Sequence, residues 1–151
     1  MKTCVFFGHR DSQSKIATPL YEAIEKWILE EGVTRFYVGN QGNFDALVLL
    51  ALRQLKRVYP QISYAVVLAY LPKGAMLATA EETVFPEKVA AAPPRFAIEA
   101  RNRWLLENAE YVIANVCTTH GGAYKFYQMA LKKGKTVLNL APPLSTENDI
   151  Q

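Results

Sequence analysis

The chain has 151 residues, of which 50% are hydrophobic and 21% are charged, and its formal net charge is +3. This composition can form a packed core and excludes an intrinsically disordered chain. The small positive charge without a Lys/Arg stripe favours anionic ligands only slightly, so we do not expect nucleic acid as a partner.

Cysteine and histidine usage predicts a reducing compartment and no metal site. Cys4 and Cys117 form no C-x-x-C pair, and the two histidines give no zinc-ligand spacing. Cys4 lies in an apolar run, which predicts a buried free thiol. No signal-peptide pattern and no apolar stretch of about 18 residues is present, so we expect a cytoplasmic protein without membrane contact.

Strand and helix patterns alternate along most of the chain. Apolar, β-leaning runs predict five strands, at residues 3–8, 34–39, 62–70, 110–116 and 135–141. Helical spacing of apolar residues predicts four helices, at residues 17–32, 43–60, 94–109 and 121–134. The proline-rich segment 71–94 breaks this rhythm, and we expect it to be an irregular lid, insertion or dimer contact.

This alternation predicts a Rossmann-like, doubly wound α/β fold over residues 1–151 as a single domain. The expected sheet is mostly parallel and five-stranded, with helices on both faces. Ligands of such folds bind outside the carboxyl ends of the strands, so the residues after each strand are the candidates for function.

The first strand ends in "GHRDSQ", at Gly8, His9 and Arg10. Neither the G-x-G-x-x-G fingerprint nor a phosphate loop of the G-x-x-x-x-G-K-[ST] type is present, so we expect no NAD or FAD cofactor. Arg10 is equally suited to a bidentate phosphate contact and to a loop salt bridge. For His9 the pattern favours an ordinary hydrogen-bonded loop residue.

The second strand ends in "GNQGNFD", which contains Gly39, Asn40, Gly42 and Asp45. A helix N-terminus after two glycines can bind an anion, and Asp45 could cap the helix or accept a hydrogen bond from a ribose hydroxyl. By itself the motif is weak, and a plain turn with Asn43 as the helix N-cap is the favoured interpretation.

The fourth predicted strand is followed by "CTTHGGAYK", in which His120 precedes Gly121 and Gly122. A second glycine-bearing turn at a strand end makes a nucleotide-like ligand more credible than either turn alone. Cys117 and His120 could form a nucleophile–base pair, but no third orienting residue is evident. A partly buried structural thiol is therefore the favoured interpretation of Cys117.

The third predicted helix contains "RNRW", with Arg101, Asn102 and Arg103. Two arginines at i and i+2 do not share a helix face, so we expect one to point toward the site and the other toward solvent. For either arginine considered alone, a solvated surface residue is the default.

Taken together, "FFGHR", "YVGNQGNFDALV", "PPRFAIEARNRWLLENAEYVIANV" and "HGGAYKFYQMALKKGKTVLNL" resemble the YpsA-like branch of the SLOG superfamily. That superfamily also contains the Lonely Guy (LOG) phosphoribohydrolases and the DprA-type DNA-processing proteins. The resemblance implies a Rossmann-like domain that binds a nucleotide or a nucleotide-derived ligand, commonly as a homodimer. The ligand-binding residues it implies, together with the strand-end patterns, are Gly8, His9, Arg10, Gly39, Asn40, Gly42, Asp45, Arg101, Asn102, His120, Gly121 and Gly122.

Comparison with the LOG enzymes argues for binding rather than catalysis. Arg101 and the glycine pair match the LOG motif, but Asn102 replaces its Lys, and Tyr127 and Gln128 stand where acidic residues would be. N-glycosidic cleavage needs a carboxylate, so Asp45 or Glu99 would have to substitute. We therefore expect a non-catalytic binding or sensing module first and an N-glycosidase acting on a nucleoside monophosphate second.

Overall fold

The computed structural model describes residues 1–71 and 81–142. Six parallel strands form one sheet: β1 (Lys2–Gly8), β2 (Val33–Val38), β3 (Ser63–Val67), β4 (Thr83–Val84), β5 (Tyr111–Asn115) and β6 (Thr136–Asn139). Five α-helices connect them: α1 (Ala17–Glu30), α2 (Gly42–Val58), α3 (Glu87–Ala90), α4 (Ala97–Glu107) and α5 (Gly122–Lys132). The predicted α/β fold with a parallel sheet between helices is confirmed.

Strand order is β4-β3-β2-β1-β5-β6, with β1 at the centre of the sheet. The chain adds strands on one side of β1 up to β4 and then crosses over to add β5 and β6 on the other side. Gly8, at the end of β1, pairs with Asn115, at the end of β5. The switch point therefore lies between these two strands, where parallel α/β folds bind their ligands.

Side chains of β1 alternate between two hydrophobic cores. Cys4 and Phe6 pack with the buried faces of α1 and α2, whereas Val5 and Phe7 pack with those of α4 and α5. This period-two alternation into apolar layers on both sides is why β1 reads as a continuous apolar run. Cys4 is fully buried, as predicted, and burial raises the pKa of its thiol.

The prediction of five strands is wrong, because β4 adds a sixth at the edge. Thr83 and Val84 pair with Val66 and Val67 of β3. Two residues are too few to show a period-two pattern, and the proline-rich sequence around them indicated an irregular segment. The predicted irregular segment 71–94 thus contains β4, α3 and a turn of 3-10 helix at Pro94–Phe96, while its residues 72–80 lie outside the described part.

Within residues 1–71 and 81–142, none of the helices combines the length and apolar character needed to cross a bilayer.

Candidate functional site

A cavity of about 330 Å³ opens at the carboxyl end of β1, between the N-termini of α2 and α5 and one face of α4. Seven of the twelve predicted ligand-binding residues line it: Gly8, His9, Arg10, Asp45, Arg101, Asn102 and Gly122. The sequence patterns that follow three separate strands therefore converge on one space.

Gly8 and Gly42 allow the loop after β1 and the start of α2, which form two walls of this cavity, to lie close together. A Cβ atom on Gly8 would lie 2.3 Å from the buried ring of Phe44, and one on Gly42 would lie 2.7 Å from the Cα of Arg10. Gly42 also has a φ of +87°. Both glycines are needed because the backbone after β1 lies directly against the first turn of α2.

At the N-terminus of α2, groups of the chain itself accept from two of the free N–H groups. Gln41 is the N-cap, its N–H donates to Asp45 Oδ2 over 2.9 Å, and the Asn43 N–H donates to the Arg10 carbonyl over 2.8 Å. Asn43 is thus not the N-cap, and that prediction is wrong. The Asp45 carboxylate and the Arg10 carbonyl thus accept from two of the four N–H groups that a helix start leaves without an intrahelical partner.

Arg101 of α4 is the most unusual side chain in the cavity. It is only 3% exposed, and its Nη1 has no hydrogen-bond partner among the described residues. Its Nε donates to Asn102 Oδ1 over 3.1 Å. The default interpretation of a solvated helix arginine is wrong for Arg101, although it holds for exposed Arg103, which pairs with Glu99 at 2.9 Å.

Gly39 explains how Arg101 and Asp45 come together. A Cβ atom on this buried residue would lie 2.6 Å from Arg101 Nη1 and 2.8 Å from Asp45 Oδ2. Gly39 does not line the cavity; it leaves the room beneath these two side chains. The Arg101 guanidinium and the Asp45 carboxylate lie against the space that a side chain on Gly39 would fill, and they form the floor of the site.

Burial dominates the electrostatics of this floor. It raises the pKa of Asp45, outweighing the opposing effects of the Gln41 N–H and of the charges on Arg101 and Arg10. It lowers the pKa of Arg101, and the repulsion from Arg10 adds to this while Asp45 opposes it. Each charge is thus incompletely compensated where it lies.

Within the part of the chain that the structure describes, the N-cap residues of α2 and α5 both lack a side-chain capping hydrogen bond, but α5 differs because no carboxylate such as Asp45 accepts from its N-cap N–H. Gly121 occupies the N-cap position with φ 93° and ψ 173°, a conformation available essentially only to glycine. Gly122 and Ala123 line the cavity, and their N–H groups belong to the first turn, where an α-helix offers no acceptor. No acidic residue lies in this first turn.

His9 connects the two central strands through hydrogen bonds. Its own N–H donates to the Asn115 carbonyl over 3.3 Å, and its Nε2 accepts the Cys117 N–H over 3.0 Å. The favoured interpretation of a hydrogen-bonded loop histidine therefore fits the structure. Cys117 itself is exposed, so the prediction of a partly buried thiol is wrong.

Asn40, Gly42, His120 and Gly121 do not line the cavity, although all four flank it in sequence. Asn40 is exposed, and its Oδ1 accepts from Gln41 Nε2 over 3.3 Å. The exposed His120 uses its carbonyl to accept from Thr118 Oγ1 over 3.2 Å. A position beside a strand end is therefore not sufficient to place a side chain in the site.

The cavity also contains residues that the sequence patterns did not single out, among them Asp11, Gln41, Ile98 and Ala123. Ile98 lies three residues before Arg101 on the same helix face, so helical spacing could have identified it. Gln41 accepts a hydrogen bond from Arg10 Nη2 over 3.1 Å, a contact between two loops that no local pattern predicts.

Glu99, one of the two carboxylates considered for catalysis, lies outside the cavity lining. Its carboxylate accepts from Lys125 and Arg103, and these contacts lower the pKa of Glu99. The described residues contain no group of three or more His, Cys, Asp or Glu side chains arranged to hold a metal ion.

No protein-family model and no curated protein matches this chain. The solved structure of DNA processing protein A (DprA) from Streptococcus pneumoniae is similar, with a TM-score of 0.68 and 17% sequence identity. The match covers 99% of this chain and 53% of the DprA chain, so this chain spans about half the length of that protein. At this identity the similarity shows the fold alone, a Rossmann-like α/β fold.

Proposed function

We propose that the cavity between β1, α2, α4 and α5 binds a phosphate-bearing nucleotide or nucleotide-derived small molecule. The observation that carries this proposal is Arg101, whose guanidinium is buried against the cavity with Nη1 unpartnered in the described part of the chain. Leaving a buried charged donor without a partner costs more than an ordinary hydrogen bond contributes. An anionic ligand would supply the missing acceptor.

Charge around the cavity supports an anion. Arg10 and Arg101 line it together with the uncapped first turn of α5, against the carboxylates of Asp45 and Asp11. A helix N-terminus carries roughly half a positive charge, which adds to the two guanidinium groups. Arg101 and the α5 turn would hold the phosphate, since both offer donors without protein acceptors.

Polar groups beside this cluster suit the hydroxyls of a ribose. Asp45 uses Oδ2 to accept from Gln41, and its Oδ1 has no hydrogen-bond partner among the described residues. Asn102 and Gln41 also line the cavity. A carboxylate and two amides near the phosphate site would distinguish a nucleotide from inorganic phosphate.

The test is ligand binding by an Arg101→Met variant, with Arg103→Met as the matched control on the same helix. A panel of nucleoside monophosphates, nucleotide sugars and cyclic dinucleotides is screened first by thermal shift. A ligand at 100 times its Kd stabilises the folded chain by about 2.7 kcal/mol. We expect Arg101→Met to weaken that ligand by about 10- to 100-fold, because it removes a charge-assisted contact, and Arg103→Met to leave its affinity unchanged.

Equal affinity in wild type and Arg101→Met would contradict the proposal, as would the absence of any thermal shift across the panel. Single-stranded DNA belongs in the same screen, because the similar solved structure is that of a DNA processing protein. Tight DNA binding with a steep salt dependence would replace the small-molecule proposal by a nucleic-acid one.

Hydrolysis of a nucleoside monophosphate is the second candidate function, and Asp45 is the observation that favours it. Glu99 is engaged with Lys125 and Arg103 outside the cavity, so Asp45 is the better placed of the two candidate carboxylates. A carboxylate there could stabilise the positive charge that develops on the ribose as water displaces the base.

Chromatographic detection of free base from AMP, GMP, CMP and UMP separates the two functions. If hydrolysis occurs and Asp45 carries it, Asp45→Asn abolishes release of the base even at nucleotide concentrations that saturate the variant. Undiminished release by Asp45→Asn would remove Asp45 from the reaction.

Homodimer formation stays a prediction that sedimentation velocity can test.

A further inference from the structure

A second cavity, of about 470 Å³, shares a wall with the first. His9 and Asp11 line both cavities, so the loop that follows β1 separates them. Each volume falls within the range of about 300–1,000 Å³ that small-molecule sites occupy. The two cavities are therefore adjacent compartments at the carboxyl edge of the sheet.

The second cavity differs chemically from the first. Apolar groups of Ile16, Pro19, Leu140 and Pro142 contribute much of its lining. Lys15 also lines it and is exposed, without an ion pair among the described residues. An apolar surface bordered by the Lys15 ammonium and the Asp11 carboxylate suits a flat ring that carries polar groups.

Hydrogen bonds fix the shared wall. Ser12 Oγ donates to the His9 carbonyl over 2.7 Å and accepts from Asn115 Nδ2 over 2.9 Å. The buried Ser12 thus ties the loop to the end of β5. This wall is therefore held in place by hydrogen bonds within the protein.

The same wall presents a donor. Because His9 Nε2 accepts the Cys117 N–H, the neutral imidazole carries its proton on Nδ1. Nδ1 has no hydrogen-bond partner within residues 1–71 and 81–142. Because His9 lines both cavities, its Nδ1–H is suited to donate a hydrogen bond to an oxygen of a ligand group that extends from the first cavity into the second.

We propose that the two cavities form one site for a two-part ligand of the dinucleotide class. One nucleotide would occupy the first cavity with its phosphate near Arg101. The phosphoanhydride or phosphodiester link would pass His9 Nδ1–H, and the second ring would lie on the apolar surface beside Lys15. This inference rests on the proposed nucleotide function and names the class of ligand for that site.

Paired probes test the inference, each a nucleoside monophosphate and its symmetric dinucleoside pyrophosphate: AMP with diadenosine pyrophosphate, GMP with diguanosine pyrophosphate and UMP with diuridine pyrophosphate. The variant is Gln13→Trp, which adds an indole at an exposed residue lining only the second cavity. Thr18→Trp is the matched control, because Thr18 is exposed nearby and lines neither cavity.

For at least one pair, we expect the wild type to bind the dinucleoside at least about tenfold more tightly than the mononucleotide, since a linked second group gains a high effective concentration. Gln13→Trp should remove that difference without weakening the mononucleotide, and Thr18→Trp should preserve it. Equal affinity for both members in every pair, or an unchanged ratio in Gln13→Trp, overturns the inference alone. Failure of the wild type to bind any probe overturns the inference and counts against the proposed function.

Discussion

The two glycine-bearing turns at the cavity look alike in sequence, but they differ in which groups accept from the free N–H groups at the start of the following helix. In "GNQGNFD" Asp45 and the Arg10 carbonyl accept from two of the N–H groups at the start of α2, those of Gln41 and Asn43. In "HGGAYK" the first turn of α5 has no side-chain cap and no acidic residue. The difference teaches that a glycine pair before a helix marks a possible anion site only where the chain does not already supply the acceptors.

Gly42→Ala should have the largest effect on stability. Its φ is +87°, and a Cβ atom there would lie 2.7 Å from the Cα of Arg10, which is backbone and cannot rotate away. We expect a loss of about 3 kcal/mol or more, from backbone strain and overpacking together. Urea denaturation measures it, and a loss below that of Gly121→Ala would contradict the proposed tight contact between the two loops.

Gly121→Ala should have an intermediate effect. Its backbone conformation is strained for any other residue, but nothing lies within 4 Å of the added methyl group. The expected loss is about 1–3 kcal/mol from conformation alone. Gly32→Ala is a useful control from a distant helix end, since it also combines positive φ with open space.

Asp45→Asn tests the closed turn through its pH dependence. Because burial raises the pKa of Asp45, the folded chain binds this proton more tightly than the unfolded chain. The contribution of this carboxyl to stability is therefore present at low pH and is lost as pH rises from about 4 through the raised pKa. The free energy of unfolding of the wild type relative to Asp45→Asn should fall across that window; a constant or rising difference would show that ionised Asp45 is well compensated.

Gly122→Ala should have the smallest effect on stability, within about 0.5 kcal/mol, because its φ is ordinary and no atom lies within 4 Å of the new methyl group. Its effect should appear in binding instead, since the residue lines the cavity. A variant of unchanged stability and weakened nucleotide affinity would sharpen the contrast between the two turns. Unchanged affinity would show that the ligand does not reach the position of the new methyl group.

The sequence predicted the features of the fold that repeat along the chain. Five of the six strands and the four longer helices show periodic patterns, and their order implies the switch point beside β1. The two-residue strand β4 is set by pairing with β3 rather than by its own pattern, and it was missed. Local periodicity cannot report a contact whose cause lies elsewhere in the chain.

For the site, the sequence predicted which loops meet but not the state of individual side chains. Arg101 and Arg103 are both arginines and lie two positions apart on the same helix. Only the packing of the folded chain determines that Arg101 is buried beside Asp45 while Arg103 is exposed. Asn43 had the right chemistry for an N-cap, but the N-cap lies two residues earlier, at Gln41. Such outcomes depend on Gly39 and on the contact between the first two loops, which no local pattern contains.

The central position of β1 also affects the order in which the chain can fold. Its pairing with β5 brings together residues such as Thr3 and Glu110, which hydrogen-bond across a separation of 107 positions. Contacts of this range form late and slow folding, because a long loop must close first. Since Gly122 and Ala123 follow β5 and line the cavity, we expect the cavity to complete only after that closure, so a ligand bound there should stabilise the native state without accelerating the early steps of folding.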